Sequence, residues 1–373
     1  MQQVKWGEFR VGDLFDISNT SSFNTDVLVE GSEYDYITRT SLNQGILQTT
    51  GFVNAENINS AGNWSLGLLQ MDFFYRRKPW YAGQFVRKVL PKFEVSEYTI
   101  LFFSTLLNGL KNKLLTVLVR DVDKTFLNST IQVPTTSNGN IDFGFIAEFV
   151  AELEAQRVAE LATYLQATGL KDYTLTETEK QTIEGFNNIT FEDFTIERLF
   201  NKVKVNTLKY KTSDLPSTPT SGFVLPALTA GIQNQGLNNY VPLDNATILN
   251  NVISISANGA NTGATFFQSK DFTVLQDAYA IKWKDESHKL SENQYLYMTG
   301  AIAKAIVGNY EWTNKAGWER IKSNTISVPV KNGEVDFVYI DTLVAAIKKL
   351  AIKDVVMYSD RRIAATQAVI NNK

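Results

Sequence analysis

Phe73-Phe74-Tyr75-Arg76-Arg77-Lys78-Pro79-Trp80-Tyr81 sets three consecutive cations among aromatic rings, and Arg87, Lys88 and Lys92 follow closely. Much later in the chain, Tyr310, Trp312, Asn314, Lys315, Trp318, Arg320 and Lys322 crowd into 13 residues. Lys202, Lys204, Lys209 and Lys211 add an alternating basic stripe. Such cations neutralise phosphates and bind guanine edges, Asn and Gln bind adenine edges, and Tyr or Trp rings pack on sugars or bases. Two glycine turns supply the amides: Thr38-Arg39-Thr40-Ser41-Leu42-Asn43-Gln44-Gly45 and Leu228-Thr229-Ala230-Gly231-Ile232-Gln233-Asn234-Gln235-Gly236. Asn258 and Asn261 sit in a third loop, Asn258-Gly259-Ala260-Asn261-Thr262-Gly263, whose small residues let backbone approach a ligand. Arg39, Asn43, Gln44, Arg76, Arg77, Lys78, Arg87, Lys88, Gln233, Asn234, Gln235, Asn258, Asn261, Tyr310, Trp312, Asn314, Lys315 and Arg320 are therefore the candidate contacts to duplex DNA. Arg76 and Arg77 are expected to touch phosphate whatever the sequence, and Asn234 and Gln235 to affect one site only. For each aromatic ring the alternative is a core edged with solvated charge.

Catalytic chemistry finds little support. Phosphate-loop, dinucleotide-binding and nucleophile-elbow motifs do not occur, nor does the Pro-Pro-Tyr/Phe core of an amino-methyltransferase. The chain has no cysteine and one histidine, His288, in the polar run Lys284–Lys289 that reads as an exposed loop. Disulfides, thiolate metal sites and Ser/His hydrolysis are thus disfavoured. Asp121/Asp123 and Glu192/Asp193 read as surface carboxylates rather than metal ligands. With 44% hydrophobic and 12% aromatic residues, the 373-residue chain can build two or three cores. No apolar run reaches a membrane span and the first residues lack a signal-peptide core, so a cytoplasmic protein is expected.

The elements that must position these groups occur twice. Phe9, Leu14 and Phe15 of WGEFRVGDLFDI reappear 185 residues later as Phe194, Leu199 and Phe200 of FEDFTIERLFNK. Asn43-Gln44-Gly45-Ile46 is answered by Asn234-Gln235-Gly236-Leu237, and IQVPTTSNGNIDF (131–143) by ISVPVKNGEVDF (326–337). A period this long denotes whole domains rather than solenoid repeats. Each copy reads as a mixed α/β (α+β) domain, with short strands between Gly, Asn and Ser clusters and a helical stretch at Glu97–Lys113 or Glu292–Val307. Residues 1–142 and 190–336 form the two copies. Residues 143–189 hold the first trailing helix, with Asp142 as cap, Gly169 as stop and a linker or loose turn over Gly169–Asn188. Residues 337–373 hold the second helix, after Asp336.

Charge falls unevenly on those helices. Residues 143–189 carry 3 basic and 8 acidic side chains, whereas residues 337–373 carry 6 and 3. Opposite charge and apolar seams predict that the two helices pair as an antiparallel coiled coil with pseudo-two-fold symmetry. The domains themselves are near neutral, and the whole chain has a net charge of −3, so affinity for DNA must come from local patches.

This order of marks resembles the specificity (S) subunits of type I restriction-modification systems and the short S subunits of type IIB systems, over nearly the whole chain. The resemblance implies two target recognition domains reading the halves of a split DNA site through the major groove. It implies paired helices that set the spacer and dock methyltransferase (M) subunits, and possibly a restriction (R) subunit. It also implies that this chain is non-catalytic and binds no cofactor, with S-adenosylmethionine held by the methyltransferase. A helix of about 38 Å is close to one DNA turn. An orphan DNA-binding or adaptor protein, or a duplicated carbohydrate- or peptide-binding protein, are the other readings.

Overall fold

The computed structural model describes residues 4–311 and 313–371 and divides into two units, one reaching Thr163 and taking in residues from Arg361, the other running from Tyr164 to Asp360.

In the first unit, β1 (Lys5–Arg10) pairs antiparallel with β9 (Thr130–Thr135). Between them lie a four-stranded sheet and a three-stranded one. The four-stranded sheet is ordered β2 (Phe15–Asn19), β8 (Val86–Pro91), β5 (Asn63–Gly67), β6 (Asp72–Arg76); the smaller one is β4 (Ile46–Thr50), β3 (Tyr34–Ile37), β7 (Trp80–Ala82). Within the smaller sheet β3 and β7 run parallel. Phe15, Trp64, Leu66, Phe73, Val89, Phe103, Leu107 and Phe126 form the core between the four-stranded sheet and the helices α2 (Glu97–Gly109) and α4 (Val122–Leu127). The short helices α1 (Val11–Leu14) and α3 (Lys111–Leu114) complete this set.

The second unit repeats the plan. Its outer pair is β10 (Phe191–Thr195) with β18 (Thr325–Lys331), and β18 also pairs with β19 (Glu334–Val335). The four-stranded sheet runs β11 (Phe200–Lys202), β17 (Ala278–Trp283), β14 (Val252–Ser256), β15 (Thr265–Gln268). The three-stranded sheet runs β13 (Leu237–Val241), β12 (Leu225–Leu228), β16 (Thr273–Val274), with β12 and β16 parallel. Its core is more aliphatic: Ile253, Ile255, Ile281, Met298, Ile302, Ile326 and Val328 pack around Phe200. Helices α7 (Ile196–Leu199), α8 (Glu292–Ile306) and α9 (Trp318–Ile321) accompany these strands.

The Val-Pro…Asp-Phe motif is the hinge from strand to long helix. In the first copy the Asp142 N–H donates to the Pro134 carbonyl at 2.9 Å, and its carboxylate accepts from the Phe145 N–H at 2.9 Å. In the second, Asp336 donates to Pro329 and accepts from Tyr339, both at 2.9 Å. Each aspartate is thus the expected N-cap, satisfying one orphan donor of the helix it starts. α5 (Phe143–Ala167) ends in a Schellman motif: Gly169 adopts φ +69° and the Leu170 N–H returns to the Leu165 carbonyl at 2.9 Å. α10 (Phe337–Asn371) is longer, with 35 residues against 25.

Two regions differ from the sequence reading. The stretch after Gly169 is not a loose linker. It forms α6 (Glu177–Glu184), opened by a capping box between Thr176 and Glu179, and the buried Glu179 pairs with Lys349 at 2.9 Å. His288 does lie in a loop, but half-buried: its ring stacks on Phe337 with centroids 3.7 Å apart, and Nε2 meets Gln294 Oε1 at 2.9 Å. Apolar stacking at the start of α10 outcompetes the polar neighbours that suggested exposure. Among the described residues no helix is long and apolar enough to cross a membrane.

Candidate nucleic-acid interface

The two Asn-Gln-Gly turns have the same unusual backbone. Asn43, Gln44 and Gly45 lie at φ 45°, 53° and 78°; Asn234, Gln235 and Gly236 lie at 47°, 56° and 84°. Three consecutive left-handed residues are rare, since each non-glycine residue there costs roughly 1–2 kcal/mol. Glycine takes the third place for steric reasons as well: a Cβ on Gly236 would approach the Thr229 carbonyl to 3.1 Å, and one on Gly45 the Thr38 carbonyl to 3.3 Å. The glycine carbonyl closes each turn, accepting from the Thr38 N–H at 2.8 Å or the Thr229 N–H at 3.1 Å. A β-bulge precedes each turn, at Tyr36/Ile37 and at Ala227/Leu228.

What offsets the strain is a buried clamp. Arg76, 3% exposed at the end of β6, donates through Nη2 to the Gln44 carbonyl at 2.5 Å. It is itself held by Ser65 Oγ on β5, 2.9 Å from Nε and 2.7 Å from Nη2. In the second domain Gln268, 4% exposed at the end of β15, donates through Nε2 to the Gln235 carbonyl at 3.1 Å and to Ser254 Oγ at 3.1 Å. Strand register makes these equivalent, for Asn63 opposes Arg76 as Val252 opposes Gln268, with each serine two residues further along. Burial pulls the Arg76 guanidinium down to about 10, while Asp35 opposes that shift. The position matching Asp35 in the second domain is Pro226, by the register around the bulge.

The turns therefore hold amide side chains at the surface on a fixed backbone, with Asn43 Nδ2 donating back to the Ile46 carbonyl at 3.2 Å. Asn43, Gln44, Gln233, Asn234 and Gln235 are all exposed, as are Leu42 (78%) and Ile232 (58%) beside them. Exposed Arg39 lies over the Phe85 ring at 5.3 Å, beside a cleft of about 550 Å³ lined by Thr25, Tyr36, Thr40, Leu69 and Gln84.

The family model for the type I restriction modification DNA specificity domain matches residues 3–163 and again residues 188–357. The chain belongs to this family. Among solved structures, the S subunit of a type I restriction-modification system from M. genitalium matches over 100% of this chain and 96% of its own, at 12% identity and a TM-score of 0.54. The likeness to that S subunit is one of fold. The HsdS subunit from Thermoanaerobacter tengcongensis aligns over 95% of this chain and 91% of its own, at 12% identity and a TM-score of 0.31. No curated protein matches the sequence.

Within these two DNA specificity domains the other candidate residues are placed unevenly. Arg76 is buried under the turn, where its guanidinium donates to the Gln44 carbonyl. Arg87 is also turned inward, its side chain 17% exposed and joined to Asp123 at 3.0 Å. Lys78 bridges Asp35 at 2.8 Å and the Ser32 carbonyl at 3.0 Å, and Lys88 is half-buried on β8 opposite Ser18 and Ser65. Arg77 is exposed and pairs with Glu97, whose carboxyl the Arg77 hydrogen bond holds below its usual range. Asn258 donates to Asp277 at 2.8 Å and is half-buried, whereas Asn261 is exposed. Arg320 reaches Asn314 Oδ1 at 2.7 Å, the Tyr310 hydroxyl donates to the Arg320 carbonyl at 3.1 Å, and Lys315 is exposed beside them. Trp312 lies outside the described residues. Sequence reasoning missed Gln268, Ser65 and Ser254; only strand register relates them to the turns.

Among the described residues no cluster of three or more His, Asp or Glu could hold a metal ion.

Proposed function

We propose that this chain is the specificity subunit of a restriction-modification complex, each domain reading one half of a bipartite duplex DNA site. The observation that carries the reading is the pair of exposed, left-handed Asn-Gln-Gly turns, alike in backbone and different in flanking residues. Equal geometry gives two readers of one kind; Arg39 in the first and Ala230 in the second give them different half-sites. In this reading residues 1–142 and 190–336 are the recognition domains, while 143–189 and 337–373 supply α5 and α10 as the spacer.

The long helices would pair antiparallel as a coiled coil. Support comes from each unit separately: in the first, Arg362 near the end of α10 pairs with Glu154 of α5, and in the second, Asp360 of α10 lies 3.8 Å from Lys171 just beyond α5. Exposed Phe149, Leu153, Ile347 and Leu350 leave apolar surface on these helices for methyltransferase subunits, with a restriction subunit joining the same complex. The chain itself would be non-catalytic and bind no cofactor; S-adenosylmethionine would belong to the methyltransferase. The complex would act in the cytoplasm.

The test is a duplex DNA shift assay in the presence of the methyltransferase, repeated over a salt series. Binding should weaken linearly in log–log form as salt rises, because phosphate contacts release counterions. Absence of any duplex binding, or binding indifferent to salt, would overturn the assignment.

A further inference from the structure

We infer that Arg76 and Gln268 are positioning residues for base readout, each setting the preference of its own domain through the carbonyl of the turn without touching DNA. The inference rests on the reading of the Asn-Gln-Gly turns as DNA-contacting elements.

Both turns are strained. Two non-glycine residues per turn sit in the left-handed region, and such a conformation persists only where its surroundings over-determine it. The surroundings here are a closing hydrogen bond from a threonine N–H, a backbone bond from the Ile46 or Leu237 N–H to the Asn43 or Asn234 carbonyl, and one bond from a buried side chain, which comes from outside the turn's own strands. The buried donor meets the carbonyl of the residue whose own side chain is exposed, Gln44 or Gln235. Its position therefore helps fix the direction in which the Gln44 or Gln235 amide leaves the surface, while Asn43 is also held by its own bond to the Ile46 carbonyl at 3.2 Å.

The two clamps share no side chain except the serine. Ser65 Oγ lies 3.5 Å from the Phe74 carbonyl, and Ser254 Oγ lies 3.3 Å from the Phe266 carbonyl, so the serine is seated alike in both. A guanidinium in one copy and a carboxamide in the other then deliver an N–H to the same backbone oxygen. Support of the turn, rather than charge, is what the position supplies. Base edges are discriminated by hydrogen bonds of narrow geometry, so losing the support should relax sequence preference before it abolishes binding.

The experiment uses the full chain with its methyltransferase partner and selects from a duplex library randomised at both half-sites. Arg76→Leu should lower discrimination at the first half-site by about tenfold or more, the scale of one lost base contact, and leave the second half-site unchanged. Gln268→Leu should do the converse. Arg76→Gln, which copies the second domain's donor, should restore the first half-site's preference, a rescue that mere loss of packing would not allow. Should Arg76→Leu fail to fold, Gln268→Leu decides alone, since it removes no charge.

Unchanged preference in both leucine variants, or equal loss at both half-sites, would overturn the inference. The double variant Asn43→Ala with Gln44→Ala separates readout by the turn from its support by the clamp. If it leaves the first half-site's preference intact, the turn does not read DNA and the inference falls with that reading. If it shifts the preference while the clamp variants do not, only the inference falls.

Discussion

The first recognition domain holds its turn with a buried charge, and the second holds the same turn without one. Arg76 under Gln44 comes with Asp35, itself bridged to Lys78; Gln268 under Gln235 comes with Pro226 in the corresponding place. Burying a guanidinium is expensive unless a carboxylate and several acceptors accompany it, whereas a buried amide needs only hydrogen bonds. Each domain therefore carries the set of neighbours its own donor requires. The difference teaches that the duplicated object is a backbone path with a donor beneath it. Side-chain chemistry can change within that constraint, and so can the exposed flanks.

The largest expected effect breaks this comparison at its charged end. Arg76→Leu leaves Ser65 and the Gln44 carbonyl without their charged donor, and should cost the first domain about 2–3 kcal/mol, since hydrogen bonds from a charged group are the stronger ones. Gln268→Leu orphans neutral groups only and should cost the second domain about 1–2 kcal/mol. Two domains need not unfold together, so the measurement is native-state hydrogen exchange read strand by strand. Equal losses would show that the charge is irrelevant. In the double variant Arg76→Gln with Asp35→Asn the first domain should recover most of its stability, since it then resembles the second.

A smaller effect tests the shared part. Asp142→Ala and Asp336→Ala each remove the N-cap of a long helix and the tie to a proline carbonyl is kept by backbone alone. Each should cost about 1 kcal/mol, and the two values should agree within a few tenths. Disagreement would mean that one helix depends on its cap and the other on packing. Thermal or urea unfolding followed by hydrogen exchange in the first turns of α5 and α10 would decide.

These regions also show what the sequence made legible. Asp142, Asp336 and Gly169 act locally, through turns a few residues long, and so their types and spacing announced the caps and the stop. The repeat of WGEFRVGDLF and of Val-Pro…Asp-Phe announced two domains because each mark recurs in register. The burial of Arg76 was hidden for the opposite reason. Three adjacent cations look alike in a string, but at the end of a strand one of them faces under the neighbouring turn, and only the pairing Asn63–Arg76 reveals which. Gln268 gave no signal at all, since a lone amide between Phe267 and Ser269 is unremarkable until β14 and β15 are aligned. The helix α6 was readable in principle: Thr176 and Glu179 have capping-box spacing, hidden by a polar run without an apolar stripe.

The smallest expected effect contrasts an exposed ion pair of the first domain with a buried one of the second unit. Arg77 and Glu97 have side chains 59% and 67% exposed, so Arg77→Ala should change stability by no more than a few tenths of a kcal/mol, while weakening DNA binding on all sequences alike if it meets phosphate. Glu179 and Lys349 are 9% and 21% exposed. Burial opposes the Glu179 charge, but hydrogen bonds from Lys349 and from the Thr176 N–H outweigh it and hold the carboxyl below its usual value. A carboxylate with a lowered folded-state pKa contributes stability that is fully present above the unfolded value of about 4.3 and is lost as pH falls through the folded one. Acidification below about pH 4 should therefore release α6 while the strands stay protected, giving faster exchange over Glu177–Glu184 alone. Lys349→Met should reproduce part of that loosening at neutral pH and reduce its pH dependence, leaving the share owed to the Thr176 N–H. If α6 exchanges no faster in acid than at neutrality, its packing and capping box hold it, and the contrast between the two ion pairs disappears.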